Sequence, residues 1–258
     1  MTSESSAAAP DADQESALMD PHAIRLPDHA ALLLDLDGTL LDFAPTPDAV
    51  VVPAGLADTL LALRAKLDDA LAIVTGRPLE QIDALLPGVP RAVAGEHGAV
   101  LRVAPGAPVE RPNLPSVPDS WRDAARLVAE ESPGALLEPK ARGFVLHFRR
   151  APESGARLRD ALLDIMASGD APAEHFALLG AHMAWEIRPR GADKGTAVAR
   201  LLREEPFAGR VPVYIGDDIT DEDGMRVARA HGGLGWRVQD VFGDPAGVRA
   251  WLEQLARR

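Results

Sequence analysis

The chain has 258 residues, 47% of them hydrophobic, no cysteine and a formal charge of -12. That length supports one large core or a core with a smaller companion domain. The missing cysteines remove disulfides, thiolate nucleophiles and cysteine-bound zinc, but leave oxygen-ligated metals open. The negative charge argues against nucleic acid or an anionic membrane as the main partner, because either would be repelled. A phosphate ester would feel the same repulsion, so a site for one must carry its own cations. No apolar run approaches the ~18 residues of a spanning helix, and no basic segment leads into an apolar stretch at the N-terminus. The expected location is cytoplasmic, with no obligate protein partner evident.

Residues 1–27, rich in Ala, Ser, Asp and Glu and interrupted by Pro10, Pro21 and Pro27, read as a disordered acidic lead-in. From Ala30 short apolar runs alternate with amphipathic segments, the pattern of a βαβ architecture. Ala31-Leu32-Leu33-Leu34 is a buried parallel strand that runs into Asp35-Leu36-Asp37-Gly38-Thr39. Leu56, Leu60, Leu63 and Leu67 form a helical stripe, and Leu71-Ala72-Ile73-Val74 is a second strand ending at Thr75-Gly76-Arg77. Pro78 suits the first turn of the next helix. A strand at Ala92 to Ala94 leads into Gly95-Glu96-His97-Gly98. The proline-studded stretch from Pro105 to Pro118 reads as a linker into an inserted domain, residues 106–189. Its expected elements are a helix from Asp119 to Glu131 and antiparallel strands at Ala135 to Pro139 and Gly143 to Arg149. Another helix and two strands follow, the last at Met183 to Arg188. The core, residues 28–105 and 190–258, resumes with a helix at Lys194-Gly195 and a strand from Val211 to Ile215 that stops at Gly216-Asp217-Asp218. It ends in an amphipathic helix over Pro245 to Leu255.

Asp35 and Asp37, Thr75, and Asp217 and Asp218 each follow an apolar strand, and Lys194 begins a helix. A parallel sheet would gather all six at its carboxyl edge. That set suits a phosphate monoester. A carboxylate can displace the alcohol from phosphorus and form an acyl phosphate for water to hydrolyse, which divides one hard step into two. Asp35 is the expected nucleophile. Asp35 and Asp217 can hold Mg²⁺ between nucleophile and phosphate oxygen. Asp37 can protonate the leaving alcohol and later deprotonate water. Thr75 offers a hydroxyl, Gly76 a backbone donor and Lys194 a compact cation to the transferring group.

Each of these residues also has a structural reading. Asp-x-Asp pairs occur in ordinary turns, Thr75-Gly76-Arg77 can be a plain strand-to-helix turn, and Arg77 can form a structural ion pair. Asp218, Asp221 and Glu222 can be helix N-terminal charges. Asp217 is favoured as the direct metal ligand, with Asp221 contributing through water or a neighbour. His97 is expected to be a loop histidine bonded to backbone, with substrate contact as the alternative. Lysine occurs only at positions 66, 140 and 194. Two of these fall in the expected site, and Lys66 is expected to be solvated.

Asp35-Leu36-Asp37-Gly38-Thr39, Thr75-Gly76-Arg77, Lys194-Gly195 and Gly216-Asp217-Asp218-Ile219-Thr220-Asp221-Glu222 resemble, in that order, the four motifs of the haloacid dehalogenase-like phosphatases. The resemblance runs from Ala30 to the C-terminus. It implies an α/β fold with a Rossmann-like parallel-sheet core and an inserted α/β cap domain, type IIB-like. Ala94-Gly95-Glu96-His97-Gly98-Ala99, Leu137-Glu138-Pro139-Lys140, Leu146-His147-Phe148-Arg149 and Trp185-Glu186-Ile187-Arg188-Pro189-Arg190-Gly191 are similar to trehalose-6-phosphate phosphatases. That family implies Mg²⁺-dependent hydrolysis of trehalose 6-phosphate, with the metal at Asp35, Asp217 and the backbone carbonyl of Asp37. It also implies sugar binding by Glu138, Lys140 and Glu186. The alternatives are a capped phosphatase for sucrose 6-phosphate or a mannosyl-glycerate phosphate, a sugar phosphomutase, or a non-catalytic sugar-phosphate sensor.

Strand parity supports a wet cap surface. Val145, His147 and Arg149 share one face while Phe144, Leu146 and Phe148 share the other, and Glu186 and Arg188 alternate with Trp185 and Ile187. Fixed carboxylates and a lysine suit sugar hydroxyls, which both donate and accept. A simply solvated sheet face is the structural reading.

Overall fold

The computed structural model describes residues 24–44, 49–111, 113–181 and 183–258. Residues 1–23 of the expected acidic lead-in lie outside these. Its last four residues differ from the expectation: Ile24 and Leu26 pack on the core, and Trp251 Nε1 donates to the Ile24 carbonyl at 3.2 Å.

Strands β1 (Ala30–Leu34), β2 (Leu71–Val74), β3 (Ala92–Gly95), β4 (Val100–Arg102), β9 (Val211–Gly216) and β10 (Leu234–Arg237) form a sheet in the order β10-β9-β1-β2-β3-β4. All neighbours run parallel except β3 and β4, which are antiparallel. The continuous apolar run of β1 follows from burial on both faces. Leu32 and Leu34 face one layer, which includes α1 (Leu56–Lys66) and α8 (Pro245–Arg257). Ala31 and Leu33 face the other, with α5 (Lys194–Leu201) and α6 (Glu222–Ala230). β1 is flanked by β2 on one side and β9 on the other, so the chain reverses its direction of travel across the sheet there. A crevice opens at such a switch point, beyond the carboxyl ends of the strands.

The inserted segment builds a second sheet, β5-β6-β8-β7, from β5 (Leu136–Pro139), β6 (Phe144–His147), β7 (Phe176–Ala181) and β8 (Ala184–Pro189). All of its pairings are antiparallel. Helices α3 (Asp119–Glu130) and α4 (Gly155–Met166) cover one face, around Trp121, Phe144, Leu146, Phe148, Leu158, Leu162, Phe176 and Ile187. Each large apolar side chain buried in this way contributes about 1.5–3 kcal/mol. The expected parity is observed: the even-numbered residues 144, 146 and 148 meet the helices, while Val145, His147 and Arg149 line the space between cap and core.

The edge strands β4 and β10 had no sequence signal, being short and lacking alternation. Pro78 is the N-cap of α2 (Leu79–Leu85), with ψ of 152°, rather than a residue of its first turn. Past residue 105 the chain stays on the core sheet as far as Glu110, which exchanges two backbone hydrogen bonds with Leu101 at 2.7 and 2.9 Å. Lys66 is tied as well as solvated, donating to the Leu255 carbonyl at 3.2 Å. No described helix is long and apolar enough to cross a membrane.

Candidate active site

Asp35 continues the ladder beyond β1, its amide donating to the Ile215 carbonyl at 2.9 Å, and its side chain is buried. Three residues on, the chain must turn sharply. Gly38 takes φ of 78°, and a Cβ there would lie 2.2 Å from Asp217 Oδ2. Only glycine permits both that conformation and the approach of Asp217.

Lys194 is delivered from the other side of the sheet. Asp193 caps α5 by accepting from the Thr196 amide at 2.7 Å, so the helix begins with Lys194 pointing at the crevice. Its Nζ donates to Asp35 Oδ1 at 2.7 Å and to Asp221 Oδ1 at 2.6 Å. Asp221 also accepts from Tyr214 Oη at 2.6 Å and from the Asp218 amide at 3.1 Å. Asp218 and Asp221 form a reciprocal capping box, so their structural reading holds. Asp221 additionally links Tyr214 to Lys194. Tyr214 was not visible as a site residue, because within an apolar strand it reads as core.

Burial pushes the Asp35 carboxyl well above the usual range, reinforced by Asp221, while Lys194 opposes the shift. Asp217 is raised to about 6, first by burial and then by Asp221. For Lys194, burial disfavours the charge, but Asp221 and Asp35 outweigh it and raise the ammonium. Crowded carboxylates raised in this way are the arrangement a hard cation relieves. Carboxylate oxygens of Asp35, Asp217 and Asp221 all lie within 4.8 Å of one another, which fits an oxygen-ligated divalent ion. The Asp37 carboxylate is outside that cluster. Arg77 takes it with two hydrogen bonds, Nε to Oδ2 at 2.6 Å and Nη2 to Oδ1 at 2.7 Å.

The cap sheet supplies the opposite wall. Glu138 accepts from Lys140 Nζ at 2.5 Å and pairs with His147 Nε2 at 2.8 Å. Burial would raise the Glu138 carboxyl, but His147 and Lys140 overcome it and bring it down to about 2. Glu186 is buried, which raises its carboxyl, with Arg188 and Lys140 opposing. His97 departs from expectation. Its Nε2 lies 3.4 Å from Glu186 Oε2, and its Nδ1 is buried with no hydrogen-bond partner among the described residues.

One pocket of about 450 Å³ holds Asp35, Asp37, Thr75, Gly76, Lys194 and Asp217 from the core together with Glu138, Lys140 and Glu186 from the cap. His147, Arg149 and Phe43 also line it. Of these, His147 and Arg149 carry in the sequence a family motif and the wet-face parity of their strand but no assigned role, and Phe43 carries no signal there.

This fold has counterparts among solved structures. The C-terminal domain of C. albicans trehalose-6-phosphate phosphatase superposes with a TM-score of 0.73 at 20% identity, covering 88% of this chain and 92% of that one. The sucrose-phosphatase of Synechocystis sp. PCC6803 superposes at 0.52 and 15%, covering 81% and 82%. The fold is that of these two phosphatase structures.

Sequence narrows this class further. The family model described as trehalose-phosphatase matches residues 33–245. A trehalose-6-phosphate phosphatase from Escherichia coli (strain K12) is 36% identical over 240 residues, which is 87% of this chain and 86% of that protein. A probable trehalose-phosphate phosphatase from Sinorhizobium fredii is 42% identical over 213 residues, 82% and 78% of the two chains. The chain belongs to the trehalose-phosphatase family, whose members are phosphoric monoester hydrolases.

Proposed function

We propose that the chain hydrolyses trehalose 6-phosphate to trehalose and phosphate through a phospho-aspartyl intermediate on Asp35, with Mg²⁺ as cofactor. The observation that carries this is the shared pocket: a buried Asp35 with Lys194 on its floor faces Glu138, Lys140 and Glu186 on its roof.

Asp35 and Asp217, with the Asp37 carbonyl, would hold Mg²⁺. Bound there, the ion supplies charge neutralisation for an anion meeting an anion. The chain's own residues do the rest. Lys194 orients one Asp35 oxygen and offsets its charge. The Asp35 carboxylate attacks phosphorus, an O–P bond forms, and the bond from phosphorus to the sugar oxygen breaks. That oxygen takes the proton of Asp37. In the second half Asp37, now a carboxylate, takes a proton from water; the hydroxide oxygen bonds to phosphorus and the Asp35–phosphorus bond breaks. Thr75 Oγ1 and the Gly76 amide are donors for the transferring group. Glu138, Lys140 and Glu186 hold the sugar hydroxyls.

Phosphate release is to be measured from trehalose 6-phosphate, sucrose 6-phosphate and glucose 6-phosphate, with Mg²⁺ and with chelator. The expected result is metal-dependent release with preference for trehalose 6-phosphate, abolished in Asp35→Asn. Preference for another sugar phosphate, or turnover retained in Asp35→Asn, would overturn the reading.

A further inference from the structure

The turn after β3 joins catalytic loop to cap through two consecutive residues. Glu96 and His97 take φ of 49° and 55°, left-handed values that cost non-glycine residues energy and persist only where surroundings impose them. The imposition comes from the segment carrying Thr75: the Glu96 amide donates to the Arg77 carbonyl at 3.0 Å and the His97 amide to the Thr75 carbonyl at 2.9 Å. The imidazole lies flush on that segment, since a Cβ on Gly76 would sit 2.4 Å from His97 Nε2. From this anchored position both side chains reach the cap. Glu96 Oε2 accepts from the Ala141 amide at 3.0 Å, beside Lys140, and His97 Nε2 lies 3.4 Å from Glu186 Oε2.

We infer that His97 is a positioning residue for the sugar: held on the Thr75-Gly76-Arg77 segment, it fixes the Glu186 carboxylate against the core. The cap then presents its sugar-binding groups in register with the phosphoryl site. The chemistry agrees. Burial, with Arg188, Lys194 and Lys140 in support, keeps the imidazole neutral, and a neutral imidazole can donate one N–H to a carboxylate. Among the described residues the other cation paired with Glu186 is Arg188, whose Nη1 is 4.0 Å away. Glu96 acts in parallel by tying the turn that follows Lys140.

This inference rests on the proposed trehalose 6-phosphate activity, and its test separates the two. Wild type, His97→Asn, Glu186→Gln and the double variant are assayed with trehalose 6-phosphate and with p-nitrophenyl phosphate, which has no sugar. Asparagine tolerates the left-handed backbone but cannot reach Glu186. His97→Asn should lower kcat/KM for trehalose 6-phosphate about tenfold more than for p-nitrophenyl phosphate, mainly through KM. In the Glu186→Gln background the same change should cost less than about twofold, because the two residues act as one unit. His97→Gln, which can return a donor near Nε2, should recover part of the loss. Equal losses on both substrates, or equal losses in both backgrounds, would overturn the inference. A wild type without preference for trehalose 6-phosphate would instead defeat the parent reading, and this one with it.

Discussion

Arg77 engages both carboxylate oxygens of Asp37, at 2.6 and 2.7 Å, across 40 residues of sequence. A fork of this kind fixes the carboxylate plane and occupies the oxygens that the proposed mechanism needs for proton transfer. Asp37 must therefore turn from Arg77 toward the leaving oxygen before it can act. Asp37→Asn keeps the shape but carries no transferable proton. It should lower kcat for trehalose 6-phosphate by about 10²–10⁴-fold, and by much less for p-nitrophenyl phosphate, whose phenolate leaves unprotonated. Steady-state rates on the two substrates check this, and equal losses would remove Asp37 from the acid role.

Lys194 is buried between Asp35 and Asp221. Lys194→Met leaves two buried carboxylates uncompensated, a change that costs about 3–5 kcal/mol when one partner of a buried pair is removed. Urea unfolding of the metal-free protein should show a loss near the lower end, since Asp35 is already inclined to take up a proton. A loss below about 1 kcal/mol would show that the pair contributes little.

Metal affinity should fall in acid. Asp217 is pushed up to about 6 and Asp35 is raised as well, so protons compete with a divalent ion for their carboxylates in acid. Calorimetric titration with Mg²⁺ should give tighter binding at pH 7.5 than at pH 5, and Asp217→Asn should weaken binding at both. At a hundredfold excess over Kd, Mg²⁺ should stabilise the wild type by about 2.7 kcal/mol. Affinity that is independent of pH would count against these ligands.

Glu138 is depressed from 4.5 to about 2. The unfolded chain then binds the proton more readily, so this group's contribution to stability is complete above about pH 4.5 and is lost as pH falls toward 2. His147→Ala removes one of the two side chains bonded to Glu138. Carboxyl NMR should show the Glu138 midpoint moving upward, with part of the acid-induced loss shifting to higher pH. An unmoved midpoint would assign the depression to Lys140 alone.

Gly38→Ala should damage both stability and turnover. The left-handed backbone alone costs about 1 kcal/mol, and the added methyl would displace the Asp217 carboxylate. The variant is expected to melt lower and to bind Mg²⁺ less tightly. Unchanged metal affinity would show that Asp217 can yield without cost.

Much of the fold and the site was legible because it is written locally. Apolar runs ending in Asp35, Thr75 and Asp217 mark parallel strands, and a parallel sheet leaves one edge where strand ends can meet. Alternation along β6 and β8 assigned Val145, His147 and Glu186 to the wet face, because the period of two is a property of the strand itself. The lead-in was misjudged at Ile24 and Leu26, since a two-residue apolar signal shows its partner only once α8 is packed beside it.

What sequence alone determined was therefore the order of the central strands and main helices, the motif residues at their ends and the polar face of the cap. Tertiary structure decided which of those groups meet: Arg77 with Asp37, Tyr214 with Asp221, His97 with Glu186, and Glu138 with both Lys140 and His147. Propensity and periodicity act over a few residues. A hydrogen bond between distant side chains depends on sheet order, helix placement and the seating of the cap, and only the packed chain sets these together.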